Sequence, residues 1–273
     1  MNRKKFLQSS TAVFLLLAGG KIVKAGEGWV NDSAKRKLKL RFAVASDGHY
    51  GQPGTDYDNY FDTVVSSINK EHAAGPFAFC VINGDLIHNE KQLLVKAKEK
   101  TDRLVMPYYV TKGNHDMVSD DYWNEVWKMP VNHYAVVKNT ALIMATTSNE
   151  KGEYLSPDLN WMKEKLDESK GYKSVFIFIH IPQAKWTANG IDTPAFFELL
   201  KNYSNIKAVF HGHEHDQDGM KVKENIAYLF DAHFGGNWGT TYKGFRVVEL
   251  YNDNTIATYI MNPLEKINEV ILP

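Results

Sequence analysis

Apolar positions along this chain alternate between two spacings. Short, nearly continuous apolar runs occur at Leu38 to Ser46, Phe77 to Ile82, Pro107 to Thr111, Ser174 to Ile179 and Ile206 to Phe210. Each is too short for a core helix and is bounded by turn-forming residues, so each predicts a buried strand. Between them the spacing becomes helical. Phe61, Val64, Val65 and Ile68 form one stripe, and a second helix is expected around Lys91 to Leu104. A short helix starts near Ser119, with Tyr122, Trp123 and Val126 as its apolar face. Ser156 and Pro157 read as an N-cap and first helical residue, ahead of a stripe at Leu159, Met162 and Leu166. Thr193-Pro194 opens another helix through Phe197 and Leu200.

Tyr134 to Val137 and Ala141 to Thr146 predict a hairpin turning at Asn139. After Phe210 the helices stop, and Ile226 to Phe230, Phe245 to Leu250 and Ile256 to Met261 read as successive strands of a β-meander. Alternating strand and helix followed by strands alone predicts an α/β fold, with two packed sheets and helices outside, in one domain.

The ends of the strand runs carry the chemistry. At their carboxyl ends stand Asp47 and His49, then Asp85, then Asn114 and His115, then His180, then His213 and His215. In open α/β sheets the carboxyl edge is where ligands bind. Taken singly, each residue is an ordinary turn, cap or core residue. Together they place carboxylates, an amide and imidazoles on one edge, a donor set for transition metals.

Composition narrows the partners. The 273 residues include 32 basic and 32 acidic side chains, for zero formal charge. Nothing in that balance calls for a nucleic-acid polymer or a membrane surface. Attraction for an anionic substrate must then be local, and metal ions would supply it. The single cysteine, Cys80, lies inside an apolar run, so it reads as a core residue and no intramolecular disulfide can form.

At the amino terminus, Arg3, Lys4 and Lys5 precede an apolar stretch, Thr11 to Gly20, and then Val23-Lys24-Ala25. This is the layout of a secretory signal over residues 1–25. The stretch is shorter than the roughly 20 residues that span a bilayer, and no cysteine follows for a lipid anchor. Arg3 to Gln8 resembles a twin-arginine signal, with Lys4 where the second arginine is usual. Residues 26–37 read as a linker, and 38–273 as the folded domain. The expectation is a protein exported to the periplasm or beyond.

The ordered set D-x-H, G-D, G-N-H-D, a lone H and G-H-x-H, at Asp47/His49, Gly84-Asp85, Gly113 to Asp116, His180 and Gly212 to His215, resembles the calcineurin-like metallophosphoesterase superfamily. The resemblance runs from Phe42 to about Tyr251. It implies a four-layer αββα sandwich of two mixed sheets flanked by helices. It also implies two metals. Asp47, His49 and His215 would hold the first, Asn114, His180 and His213 the second, and Asp85 would bridge them. A shared carboxylate offsets part of the repulsion between the cations. Mixed N/O ligation suits Mn, Fe, Zn or Co, as divalent or mixed-valence ions. Water between two such ions loses its proton near neutral pH, and the hydroxide attacks in line.

By the same resemblance His115 is no ligand but faces the leaving group, as general acid or hydrogen-bond donor. Asp116 either orients the His115 imidazole or caps a helix. His211 reads as a core residue or as a support for the ligands. His88 stands where purple acid phosphatases carry a tyrosine, which argues against that branch; it lines the pocket or begins a loop.

The loops expected to roof the site are Tyr50 to Tyr57, Lys185 to Ile191 and Phe234 to Thr240. Trp238 and Trp186 are candidate platforms for a flat ring, or they simply pack surface loops. The arrangement resembles the branch containing class III cyclic-nucleotide phosphodiesterases, but export argues against an intracellular messenger and favours scavenging phosphate from small external esters. Two functions follow: a hydrolase of phosphodiesters or phosphomonoesters, or an exported metal-binding or interaction protein on the same scaffold without turnover.

Overall fold

The computed structural model describes residues 15–18, 21–24, 36–262 and 266–272. The expected signal over 1–25 and nearly all of the linker over 26–37 lie outside them, apart from the backbone of two short antiparallel strands, β1 (Leu15–Ala18) and β2 (Lys21–Lys24).

Two six-stranded mixed sheets make up the rest. The first contains β3 (Leu38–Ala45), β4 (Cys80–Asn83) and β5 (Tyr108–Thr111), all parallel. The second contains β6 (His133–Val137), β7 (Thr140–Met144), β8 (Val175–Phe178), β9 (Ile206–His211), β10 (Met220–Lys223) and β11 (Ile226–Phe230), in the order β10-β11-β9-β8-β7-β6. The chain then returns to the first sheet with β12 (Phe245–Tyr251), β13 (Ile256–Met261) and β14 (Lys266–Leu272), completing the order β14-β13-β12-β3-β4-β5.

Here the structure departs from the expected meander. The three carboxyl-terminal runs are strands, but β11 pairs parallel to β9 while β12 pairs antiparallel to β3. The segment between β11 and β12 therefore crosses from one sheet to the other.

Alternation along the strands builds the four layers. Leu40, Phe42 and Val44 of β3 face the second sheet, where they meet Phe176, Phe178 and Phe210. Phe42 stacks on Phe79 at 4.6 Å and meets Phe176 edge-on at 5.1 Å. Each phenylalanine buried here contributes about 1.5–3 kcal/mol. Ala43 and Ala45 point the other way, against α1 (Tyr57–Ala74). That helix buries the four predicted residues, Phe61, Val64, Val65 and Ile68. On the same outer face lie α2 (Leu94–Thr101), preceded by a 3-10 turn at Lys91–Leu93, and α3 (Asp120–Trp127), capped by the Ser119 hydroxyl.

The outer face of the second sheet is covered by α4 (Leu159–Glu168) and α5 (Pro194–Leu200). The cap of α4 is Asp158, not Ser156: its carboxylate accepts from Asn160 N and Trp161 N, both at 3.0 Å, while the Ser156 hydroxyl donates to Pro157 O. The β6–β7 hairpin turns through Lys138 and Asn139, both left-handed, at the position expected.

Candidate metal centre

The carboxyl ends of β3, β4, β5, β8 and β9 meet on one edge. The backbone there is bent hard. Asp47, His49, Asp85 and His213 all have positive φ, a conformation that costs non-glycine residues of order 1–3 kcal/mol each. It is held by bonds between the loops: Asp47 N donates to Gly84 O at 3.0 Å and His49 N to Asp85 O at 2.9 Å. Two glycines let the loops close. A Cβ on Gly113 would stand 2.2 Å from Asp85 Oδ1, and one on Gly212 would stand 2.7 Å from His180 Nδ1.

Six of the seven expected donors gather there, and the seventh, Asn114, precedes His115, whose N–H reaches Asp85 Oδ1. Asp47, His49 and His215 form one cluster, and Asp85, His180 and His213 another, while His49 also lies within reach of His88 and His115. Each of the two clusters draws on both sheets. In the first, His215 Nε2 lies 3.3 Å from Asp47 Oδ1 and 3.0 Å from His49 Nε2. In the second, His180 Nε2 lies 3.2 Å from Asp85 Oδ2. His180 Nε2 is also 3.7 Å from Asp47 Oδ1, and His49 Nε2 is 3.7 Å from Asp85 Oδ2, so the clusters adjoin.

The donor atoms fit metal ions. Asn114 Oδ1 and His213 Nε2 are buried without a hydrogen-bond partner, a costly state for polar atoms. Around them the imidazoles are aimed from behind. His180 Nδ1 donates to Asn83 O at 2.7 Å and His215 Nδ1 to Trp238 O at 3.3 Å, leaving each Nε2 toward the carboxylates. His49 Nδ1 faces His88 Nδ1 at 3.2 Å. The carboxylates are fixed as well: His213 N donates to Asp47 and His115 N to Asp85 Oδ1, at 2.8 Å in the latter case.

The chain's own charges prepare the site. Burial lowers the His49 imidazole to about 3 and that of His213 to about 4, so both are neutral and can ligate. Burial works to raise the Asp47 carboxyl, but His180 and His215 outweigh it and hold it well below its ordinary value. Burial likewise opposes ionisation of Asp85, and His180 and His49 overcome it. At His180 burial favours the neutral ring, yet Asp85 and Asp47 raise it to about 10. Two carboxylates that hold a proton so firmly would hold a cation in its place.

Behind the ligands lies a buried polar chain that crosses between the sheets. Asn83 Nδ2 donates to Asp231 Oδ2 at 2.9 Å, and Thr111 Oγ1 donates to Asn83 Oδ1 at 2.8 Å. Arg246 Nε lies 3.8 Å from Asp231 Oδ1. Its guanidinium also donates to Asp218 O at 2.6 Å, Phe230 O at 2.7 Å and Thr258 Oγ1 at 3.1 Å.

His115 sits at the rim, its ring 4.9 Å from that of His49. The structure corrects both readings of Asp116. Its carboxylate accepts from Ile87 N and Gly113 N, each at 2.9 Å, and so ties two loops together rather than orienting His115. It caps no helix, since α3 starts beyond Ser119. Burial, then the nearby Asp85, raises it to about 7. The partner of His115 is Asn89, whose Oδ1 lies 2.8 Å from His115 Nδ1 and whose N–H donates to His115 O.

His88 lines the site: its ring stacks on His115 at 4.7 Å and 12°. His211 is a core residue, stacked on Tyr228 at 6.0 Å. Trp186 packs against Tyr228, Phe197 and Phe230 and is no platform. Trp238 lies flat on His215, centroids 4.1 Å apart at 12°. Two of the roof loops are joined by Gln52 Nε2 donating to Asn237 Oδ1, and the third is tied to Glu214 through Thr187 and Asn189.

Sequence reasoning missed Asn89, Asn83 and Tyr154. The ring of Tyr154 meets that of His213 edge-on, at 4.8 Å and 87°. Asn89 and Asn83 flank the Gly84-Asp85 turn, and that proximity was the available signal; Tyr154 lies in a polar loop that gave none.

Residues 40–217 match the family model for the calcineurin-like phosphoesterases. No curated protein matches the chain. Among solved structures, a dimetal phosphatase from Danio rerio superposes with a TM-score of 0.70 at 14% identity, over 86% of this chain and 99% of that one. A purple acid phosphatase from yellow lupin (Lupinus luteus) gives 0.63 at 9% identity, over 85% of this chain and 53% of that one. GAP50, the anchor in the inner membrane complex of Plasmodium, gives 0.61 at 17% identity, over 85% of this chain and 89% of that one. At such identities these are likenesses of fold.

Proposed function

The chain belongs to the calcineurin-like phosphoesterases, hydrolases of phosphoester bonds, and from that premise we propose an exported, two-metal enzyme that cleaves small phosphoesters. The carrying observation is the pair of three-donor clusters, with the buried, partnerless Asn114 Oδ1 and His213 Nε2 beside them. Asp47, His49 and His215 would hold one ion, Asn114, His180 and His213 the other, with Asp85 between. The N/O donor set favours Mn, Fe, Zn or Co. When bound, two such ions draw charge from the phosphoryl oxygens and acidify water enough for attack near neutral pH.

The rest is work for side chains. His115, held at Nδ1 by Asn89, presents its other nitrogen to the leaving-group oxygen and supplies a proton or hydrogen bond there. His88, stacked beneath it, keeps the imidazole from turning. Trp238 offers a flat apolar surface beside the first cluster, which suits a nucleoside or aryl substituent.

The other reading, an exported metal-binding or interaction protein without turnover, predicts a lost donor, and none of the seven is replaced. Among the described residues no helix is long and apolar enough to cross a membrane. The amino-terminal pattern supports export, and mass spectrometry of the exported form is expected to find a start near Gly26; an intact Met1 there would refute cleavage. For the activity, chelation is expected to abolish hydrolysis of bis(p-nitrophenyl) phosphate and Mn or a related ion to restore it. Full activity after demetallation would overturn the mechanism.

A further inference from the structure

Tyr154 and Trp238 are two of the few large apolar side chains left exposed, at 39% and 42%, and each rests on a donor histidine. Trp238 covers His215 of the first cluster, and Tyr154 stands edge-on to His213 of the second. His213 and His215 alternate along one loop and belong to different clusters, so one aromatic ring stands beside each cluster. An exposed ring is unremarkable when it is alone. Two of them, one beside each cluster, offer two apolar walls to a substrate held at the centre.

Neither ring is loosely held. Tyr154 sits in a loop closed on itself: Asn149 Oδ1 accepts from Lys151 N at 2.9 Å and Glu153 N at 3.1 Å, and Leu155 N donates to Thr147 O at 2.8 Å. Gly152 in that loop has φ +76°, and a Cβ there would stand 2.6 Å from Asn114 O, so the loop lies directly against a donor residue. Trp238 is fixed by its carbonyl on His215 Nδ1 and by Thr240 N donating to His215 O at 2.9 Å.

The two walls are not equivalent. Trp238 is 4.9 Å from His49 and 6.5 Å from His88, the ring stacked on His115. It therefore shares the side of the proton donor, where the leaving group departs. Tyr154 lies beside the other cluster, where the substituent that stays on phosphorus would lie.

We propose that the preferred substrates are phosphodiesters bearing a flat or ring-containing group on each ester oxygen, with Tyr154 recognising the retained group and Trp238 the leaving group. A monoester has no retained organic group and would leave the Tyr154 wall without a partner. The assignment rests on the phosphoesterase reading given above.

The test compares phenyl p-nitrophenyl phosphate with methyl p-nitrophenyl phosphate on the metal-loaded full chain. Both release the same leaving group and differ only in what stays. Taking the phenyl-to-methyl ratio of kcat/KM in wild type over that in a variant cancels intrinsic reactivity. Stacking of one ring contributes about tenfold, so the phenyl-to-methyl ratio of Tyr154→Ala is expected to be lower than that of wild type by about that factor. Tyr154→Phe keeps the ring and is expected to keep the ratio.

Calorimetry with diphenyl and dimethyl phosphate reads the same preference as a ratio of Kd values, without turnover. A ratio unmoved by Tyr154→Ala overturns the proposal. So does Tyr154→Phe losing as much as Tyr154→Ala, since the hydroxyl would then be the recognising group, and so does a wild type that prefers p-nitrophenyl phosphate to both diesters. If the loaded wild type hydrolyses no ester, the phosphoesterase reading fails, and the Kd ratios still decide whether the walls bind two rings.

Discussion

Arg246 joins the two sheets, and replacing it with methionine is expected to be among the most destabilising changes outside the metal centre. The side chain is buried, and it makes hydrogen bonds to Asp218 O, Phe230 O and Thr258 Oγ1 while facing Asp231. Methionine fills much of the same volume with none of those donors. Breaking a buried pair from one side costs about 3–5 kcal/mol at a pH where the remaining group stays ionised and its charge is stranded. For a folded part of this size, each kcal/mol moves Tm by about 2–4 °C, so the midpoint is expected to fall by roughly 6–20 °C.

The loss also has a pH signature. Burial raises the Asp231 carboxyl to about 7, with Arg246 pulling it down. Without Arg246 it rises further. A carboxyl whose folded pKa lies above its unfolded value takes up a proton on folding, so its contribution is fully present below the unfolded value and is lost as pH climbs through the folded one. Arg246→Met is therefore expected to lie nearest wild type at about pH 5 and furthest from it at pH 8. The assay is urea unfolding of both proteins across that range, with metals chelated throughout. Asp231→Leu/Arg246→Met completes the cycle: with no charge stranded, it is expected to lose less than the two single changes summed. A deficit under about 1 kcal/mol, well below that expected for a broken buried pair, would refute the reasoning, as would one that grows on acidification or single losses that simply add.

Two further outcomes concern the centre. Asp85→Ala is expected to lower metal content at both sites, because its carboxylate touches His180 and adjoins His49, whereas His49→Ala is expected to affect chiefly one; metal analysis of the purified proteins decides, and two retained ions in Asp85→Ala would remove the bridge assignment. His115→Ala is expected to keep its metals and lose roughly 10²–10⁴-fold in kcat on an alkyl ester, with a much smaller loss on the matching nitrophenyl ester, whose leaving group needs little protonation; equal losses on both would make His115 a ligand or a substrate-positioning residue.

The donor set was legible because each donor is a chemically distinctive residue at the end of an apolar run, and strand ends show in sequence. The stripe of α1 was legible for a similar reason: its spacing is local. What failed depends on distant partners. Ile226 to Phe230 and Phe245 to Leu250 look alike as apolar runs, and nothing in either says that one pairs with β9 and the other with β3. Without that crossing the Asp231–Arg246 pair could not be foreseen. Asp116 misled because it adjoins His115 in sequence, while its carboxylate reaches Ile87 and Gly113. Trp186 and Trp238 were alike in sequence as tryptophans in loops, and only packing separates the half-buried one from the exposed one. Lys266 to Leu272 mixes polar and apolar positions, as sheet-edge strands do, and so escaped notice.

Each donor cluster takes side chains from both sheets, so an ion held there belongs to the folded chain alone. At a free concentration a thousandfold above its dissociation constant such an ion adds about 4.1 kcal/mol to stability, and nothing when it is scarce. Much of a typical domain's margin, about 5–15 kcal/mol, would then come from the surroundings rather than the sequence. Where metal ran short the edge would loosen and open to proteases, and the amount of this protein would then follow the supply of the ion.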